Sequence, residues 1–128
     1  MKLITLNTWG GRIFELQSKF LKTYHNVDIF CFQEVYHNAH GKDTLWLDST
    51  NFNLCEDIKD SLPGHQCLYH PHLGDWWGLA MHINKNFPIK ESGERMIYKD
   101  KGYNPELELQ GHAAKNIQYA TIEINRKP

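Results

Sequence analysis

An α/β fold is predicted by three features of the sequence. Two short runs, 3–8 and 28–33, are rich in β-branched and aromatic residues and suit strands buried on both faces. Between them Ile13, Leu16, Phe20, Leu21 and Tyr24 recur at helical spacing, with Lys19 and Lys22 on the other side. Each run also ends in a polar residue able to face a ligand: Asn7 closes the first, and Gln33-Glu34 closes the second.

A strand, a crossover helix and a second strand form a right-handed unit that lays the strands parallel. Beyond it, residues 36–49 are polar and contain Gly41, which predicts a surface loop beside the strand ends. Phe52, Leu54, Cys55, Ile58 and Leu62 predict a short second helix, stopped by Pro63-Gly64. Residues 66–69 and 79–84 read as strands, and 89–99 alternates weakly as a further one, reaching a turn at 102–105. There is no repeat, low-complexity tract or linker, so residues 1–128 are expected to form one domain.

In parallel units of this kind, ligands collect beyond the carboxyl ends of the strands, where Asn7 and Glu34 fall. A carboxylate there suits a hard cation such as magnesium, which takes one or two protein carboxylates together with waters and substrate phosphate. Asn7 would hydrogen-bond a phosphate oxygen or a metal-bound water without adding charge. The plain alternative is that Glu34 is a solvated strand-end residue and Asn7 begins a turn; spacing alone does not choose.

The opening Met1-Lys2-Leu3-Ile4-Thr5-Leu6-Asn7-Thr8-Trp9, followed by Asp28-Ile29-Phe30-Cys31-Phe32-Gln33-Glu34-Val35, resembles the endonuclease/exonuclease/phosphatase superfamily. Asn7 matches its first-strand asparagine, and Gln33-Glu34 its Gln-Glu pair, whose glutamate binds magnesium. Residues 78–83 resemble the strand that follows a substrate-side loop. Residues 115–122 resemble a later strand, where relatives often carry arginine near the Lys115 position. The resemblance implies a four-layer α/β sandwich of the DNase I-like kind, of which this chain would be the N-terminal half. The family's domain is about twice as long, within the range of large single domains.

The family's later motifs supply an Asn-x-His segment, a Gly-Asp-x-Asn segment and a terminal Asp-His pair. Here Gly74-Asp75 is followed by Trp76-Trp77, and no Asp-His pair occurs. The general base and much of the phosphate-binding shell are therefore expected outside this sequence. Many nuclease members place a basic residue two positions after the glutamate, where this chain has Tyr36, which weakens a DNA-specific assignment.

Composition constrains partners. Hydrophobic residues make up 41% and charged residues 23%, so the chain is neither disordered nor membranous. No apolar run approaches bilayer length, and Met1-Lys2 leads directly into a strand without a signal region. Three cysteines, Cys31, Cys55 and Cys67, have no close-spaced motif and point to a reducing cytoplasm. A net charge of −1 with interleaved Lys and Glu leaves no basic stripe for long nucleic acid. A small or zwitterionic phosphate is at least as plausible a partner as a duplex.

Two further groups invite a chemical reading. His65, Cys67, His70 and His72 are zinc-type donors, but on a strand His65 and Cys67 share one face, His70 points opposite and Pro71 interrupts. A histidine-rich strand-end loop is the alternative. Trp76 is a candidate substrate-binding wall, by stacking on a base or a cation-π contact with a lipid headgroup, with Trp77 on the opposite face of the strand. Packing is the competing role for each.

The expected activity is hydrolysis of a phosphodiester or phosphomonoester assisted by Mg²⁺, with Mn²⁺ as a substitute. Asn7 and Glu34 form the catalytic and metal-binding pair, and the substrate is a nucleic acid, a phospholipid headgroup or an inositol phosphate. The alternative is a non-catalytic chain that keeps the scaffold as a binding or assembly module. If the partner sheet lies outside the chain, one sheet face stays open to water, and self-association through that face is expected.

Overall fold

Strand β1 (Leu3–Asn7) runs parallel to β2 (Ile29–Tyr36), and α1 (Phe14–Thr23) crosses between them, as the sequence predicts. The computed structural model describes residues 1–41, 50–98 and 114–124. Helix α2 (Leu54–Ser61) follows, then β3 (His65–Leu73) and β4 (Trp77–Asn84). These strands make a four-stranded mixed sheet in the order β1-β2-β4-β3, with β4 antiparallel to both neighbours. Strands β5 (Ile89–Tyr98) and β6 (Lys115–Ile122) pair antiparallel as a second sheet. The expected turn at 102–105, most of the loop at 36–49 and the last four residues lie outside the described residues.

The core sits between the four-stranded sheet and the two helices. Phe30, Phe32 and Val35 of β2 and Ala80 of β4 meet Leu21 of α1 and Leu54, Ile58 and Leu62 of α2. Burying one such side chain is worth about 1.5–3 kcal/mol, so this layer carries most of the stability of the sheet.

Helix α1 is rolled relative to the expected stripe. Gln17 and Leu21 are its buried residues, whereas Ile13 is 47% and Leu16 is 63% exposed and Tyr24 is exposed too. On the inward side the Gln17 amide donates to the Thr8 carbonyl at 2.8 Å, and Ser18 faces Ser61 of α2 at 3.3 Å. Glu15 in the first turn and Lys22 in the last complement the helix dipole, and Lys19 pairs with Glu15 at 3.0 Å.

Strand β3 is longer than predicted and passes through Pro71, because an edge strand tolerates a residue without an N–H. Pro71 sits opposite Gly78 of β4. A Cβ on Gly78 would lie 2.3 Å from the His70 carbonyl oxygen and 2.4 Å from Pro71 Cα, so only glycine permits this approach. Side chains of β6 cover the β3 edge. Gln118 donates to the Leu68 carbonyl at 2.8 Å, and Asn116 to the His70 carbonyl at 3.3 Å.

The face of the sheet opposite the helices is open. Leu3 is 55% exposed, Thr5 and Asn7 are exposed, and Cys31, Leu79 and Met81 are half-buried.

Candidate active site

Asn7 ends β1 opposite Gln33 of β2, and Glu34 is the next residue along. Strict alternation would turn Glu34 toward the helices, on the same face as Phe32. Instead β2 carries a bulge: Phe32 pairs with Ala80 and Val35 with Gly78, so β2 spends one residue more than β4 over this interval. Glu34 occupies the bulge with φ of +59°, in the left-handed region that non-glycine residues rarely adopt. Val35 thereby returns to the core, and the Glu34 carboxylate swings to the Asn7 side.

There Asn7 Nδ2 donates to Glu34 Oε1 at 2.8 Å, and the Trp9 amide donates to Asn7 Oδ1 at 2.8 Å. The carboxylate can only accept and the backbone N–H can only donate, so both contacts fix the same amide orientation. Asn7 is thus a positioning group for Glu34, its oxygen already engaged by the backbone. Among the described residues no hydrogen bond reaches Glu34 Oε2, the bond from Asn7 ending on Oε1.

The surrounding backbone is over-determined. Thr8, 1% exposed, places its hydroxyl 2.8 and 3.0 Å from the carbonyl oxygens of Gln33 and Glu34, and its amide donates to Gln33 at 3.0 Å. Gln33 donates to the Thr5 hydroxyl at 2.9 Å. Trp9 and Gly10 follow Asn7 with φ of +50° and +61° in a short 3-10 turn. A side chain on Gly10 would meet the Tyr36 ring at 2.9 Å.

Tyr36 ties this turn to the candidate aromatic wall. Its ring stacks on Trp76, centroids 5.9 Å apart and 6° from parallel, and on Trp77 at 6.0 Å and 17°. Trp76 lies in the turn before β4, half-buried, and Trp77 is the first residue of that strand. The structure therefore brings Asn7 and Glu34 together directly and adds Trp76 by way of Tyr36. Lys115 reaches the same end of the sheet, its ammonium 5.8 Å from the Trp77 ring centre.

The four donors His65, Cys67, His70 and His72 do not converge on one another. His65 Nε2 is 2.7 Å from the Val27 carbonyl, and Cys67 Sγ is 4.0 Å from Cys55 Sγ. His70 accepts from Gln118 at 2.7 Å, and His72 Nδ1 is 3.1 Å from Asn116 Oδ1. Burial, reinforced by Lys115, holds the His72 pKa down at about 4, so its ring is neutral near pH 7.

Thr8 and Gln17 are the residues buttressing the candidate site that sequence reasoning misses. Their one signal is position: Thr8 directly follows Asn7, and Gln17 is a polar residue one turn from Leu21 on the buried face.

No protein-family model matches the chain, and no curated protein does. Among solved structures, a conserved protein of unknown function from Enterococcus faecalis V583 aligns over 100% of this chain and 49% of its own, with TM-score 0.68 and 18% identity. A mannosyl-6-phosphatase from Bacteroides thetaiotaomicron VPI-5482 aligns over 94% and 44%, at TM-score 0.59 and 18% identity. An endonuclease/exonuclease/phosphatase protein from Bacteroides vulgatus aligns over 94% and 45%, at 0.57 and 13%. The chain spans about half the length of each of these structures. The predicted resemblance thus holds at the level of architecture: this chain has the α/β fold of endonuclease/exonuclease/phosphatase proteins.

Proposed function

We propose that the chain is the N-terminal half of a four-layer α/β sandwich and carries the first part of a magnesium-dependent phosphoesterase centre. The observation that carries this reading is the Asn7–Glu34 hydrogen bond, made between residues 27 apart in sequence and bought with a left-handed glutamate at a strand bulge. Strain of that kind persists where the surrounding structure holds it and clusters at functional sites.

The donor chemistry fits a hard cation. Glu34 offers one carboxylate oxygen, no thiolate or imidazole stands in this network, and Mg²⁺ prefers one or two carboxylates with waters completing its shell. Bound there, Mg²⁺ or Mn²⁺ would polarise a phosphoryl oxygen. Glu34 would hold the ion through Oε2, and Asn7 would keep the carboxylate from rotating by bonding Oε1. Trp76, braced on Tyr36, would flank the substrate, and Lys115 would set a positive charge near the same edge. The base that activates water would come from outside this sequence.

The substrate class is a phosphoester: nucleic acid, phospholipid headgroup or inositol phosphate. A phosphatase among the structural neighbours supports this reading at the level of fold. No helix among the described residues is long and apolar enough to cross a membrane. A cytoplasmic location is supported by three unpaired cysteines.

The reading is tested by assaying a chain continued past Pro128 against a phosphoester panel with Mg²⁺, beside a Glu34→Ala control. The expected result is Mg²⁺-dependent turnover lowered at least about 100-fold in the control. Full activity in Glu34→Ala would overturn it.

A further inference from the structure

On the helix-covered side of the sheet, three donor side chains from two elements converge: His37 directly after β2, and Cys55 and Glu56 in the first turn of α2. Their ligand atoms all lie within 4.8 Å of one another, and His37 Nδ1 is 3.5 Å from Glu56 Oε1. A fourth donor, Cys67 of β3, brings its sulfur to 4.0 Å from that of Cys55. We propose that these four side chains form a second cation site, for a thiophilic divalent ion of the zinc class, separate from the Asn7–Glu34 pair.

Geometry supports the assignment. Tetrahedral zinc, with bonds of about 2.0–2.1 Å to nitrogen or oxygen and about 2.3 Å to sulfur, sets its ligand atoms roughly 3.3–3.8 Å apart. The His37–Glu56 and Cys55–Cys67 separations of 3.5 and 4.0 Å already match those edges closely. His37, Cys55 and Glu56 already lie within 4.8 Å of one another, and Cys67 joins them through its contact with Cys55.

A second observation points to a missing ligand. His37 Nδ1 is sealed from solvent and has no hydrogen-bond partner, although it faces a carboxylate and a thiol. A buried ring nitrogen without a hydrogen bond is unfavourable unless something occupies its lone pair or takes its proton. Lys59 now supplies the positive charge at Glu56, with Nζ 2.5 Å from Oε1. That lysine is partly exposed and can swing into water when an ion takes its place.

The donor set is softer than the Asn7–Glu34 pair, so the two sites sort different ions: sulfur and imidazole select zinc-class metals, and an oxygen donor selects magnesium. Its role would be a staple joining the end of β2, the start of α2 and the edge strand β3. His37 also donates its backbone N–H to the Trp76 carbonyl at 2.9 Å, so the staple braces the aromatic wall from behind.

The test is a titration of the reduced, chelator-stripped 128-residue chain with Co²⁺, followed by Zn²⁺. One equivalent of Co²⁺ should produce thiolate-to-cobalt charge-transfer absorption, Zn²⁺ should abolish it stoichiometrically, and thermal stability should rise with Zn²⁺. Cys55→Ser and Cys67→Ser should each reduce the absorption. His37→Gln should weaken binding at least about tenfold while the far-ultraviolet circular dichroism stays that of the folded chain. Glu34→Ala should leave the titration unchanged, so failure here is distinguishable from failure of the phosphoesterase reading. Absence of charge-transfer absorption in the wild-type chain, or the same absorption and affinity in His37→Gln, would overturn the proposal.

Discussion

Glu34 is held in a backbone conformation that an L-residue adopts at a cost of roughly 1–2 kcal/mol, and what that cost secures is the direction of one carboxylate. This gives a sharp expectation for two substitutions at one position. Glu34→Gly should be more stable than Glu34→Ala by about 1 kcal/mol in urea unfolding, because glycine accepts positive φ without strain. Equal stabilities would show that the bulge carries no strain. Thr8 closes the same loop from below, so Thr8→Val should cost about 1–3 kcal/mol by leaving the Gln33 and Glu34 carbonyls without the hydroxyl they share. At this scale the sequence is informative about which residues meet, since Asn7 and Glu34 stand at the ends of two apolar runs. It conceals how they meet. Period-two alternation sends Glu34 toward Phe32 and the helices, and the only local sign of a bulge is a pair of polar residues inside the run Phe32-Gln33-Glu34-Val35.

The elements show the same division between existence and orientation. Helix α1 is legible from its spacing, but its roll is not: Gln17, bonded to the Thr8 carbonyl, and Leu21 face inward while Ile13, Leu16 and Tyr24 stay exposed. Hydrophobic periodicity counts apolar residues and has no weight for one buried polar anchor. Pro71 likewise reads as a strand breaker, yet β3 continues through it because the strand lies at an edge and Gly78 lets the chains approach. Gly78→Ala should therefore destabilise by about 3 kcal/mol or more, the clash being with backbone atoms that cannot rotate away. A loss below about 1 kcal/mol would mean that the β3–β4 pairing is looser than described. The histidines of β3 are each absorbed by a different neighbour, since residues spaced along an edge strand face different layers.

Two consequences belong to the whole molecule. His72 and His82 are buried with pKa values lowered to about 4 and about 3, chiefly by desolvation, with Lys115 adding to the first and His65 and Lys59 to the second. The folded state therefore binds these protons less readily than the unfolded chain, whose histidines titrate near 6.5. Stability is full above about pH 6.5 and falls as the pH drops toward 4, by up to about 2 kcal/mol per histidine at pH 5. His82→Leu should flatten that limb, and an unchanged acid limb in this variant would contradict the assignment. The open sheet face predicts association: the chain should sediment as a dimer or larger species, and Leu3→Glu should shift it toward monomer. A wild-type monomer with a sharp cooperative melt would count against this. The most direct test of the central claim is a Mn²⁺ titration of the isotope-labelled chain, followed by paramagnetic broadening of its backbone amides. Broadening that begins at residues 7–9 and 33–35 and vanishes in Glu34→Ala is the predicted result. Broadening centred elsewhere, or surviving that substitution, would contradict it.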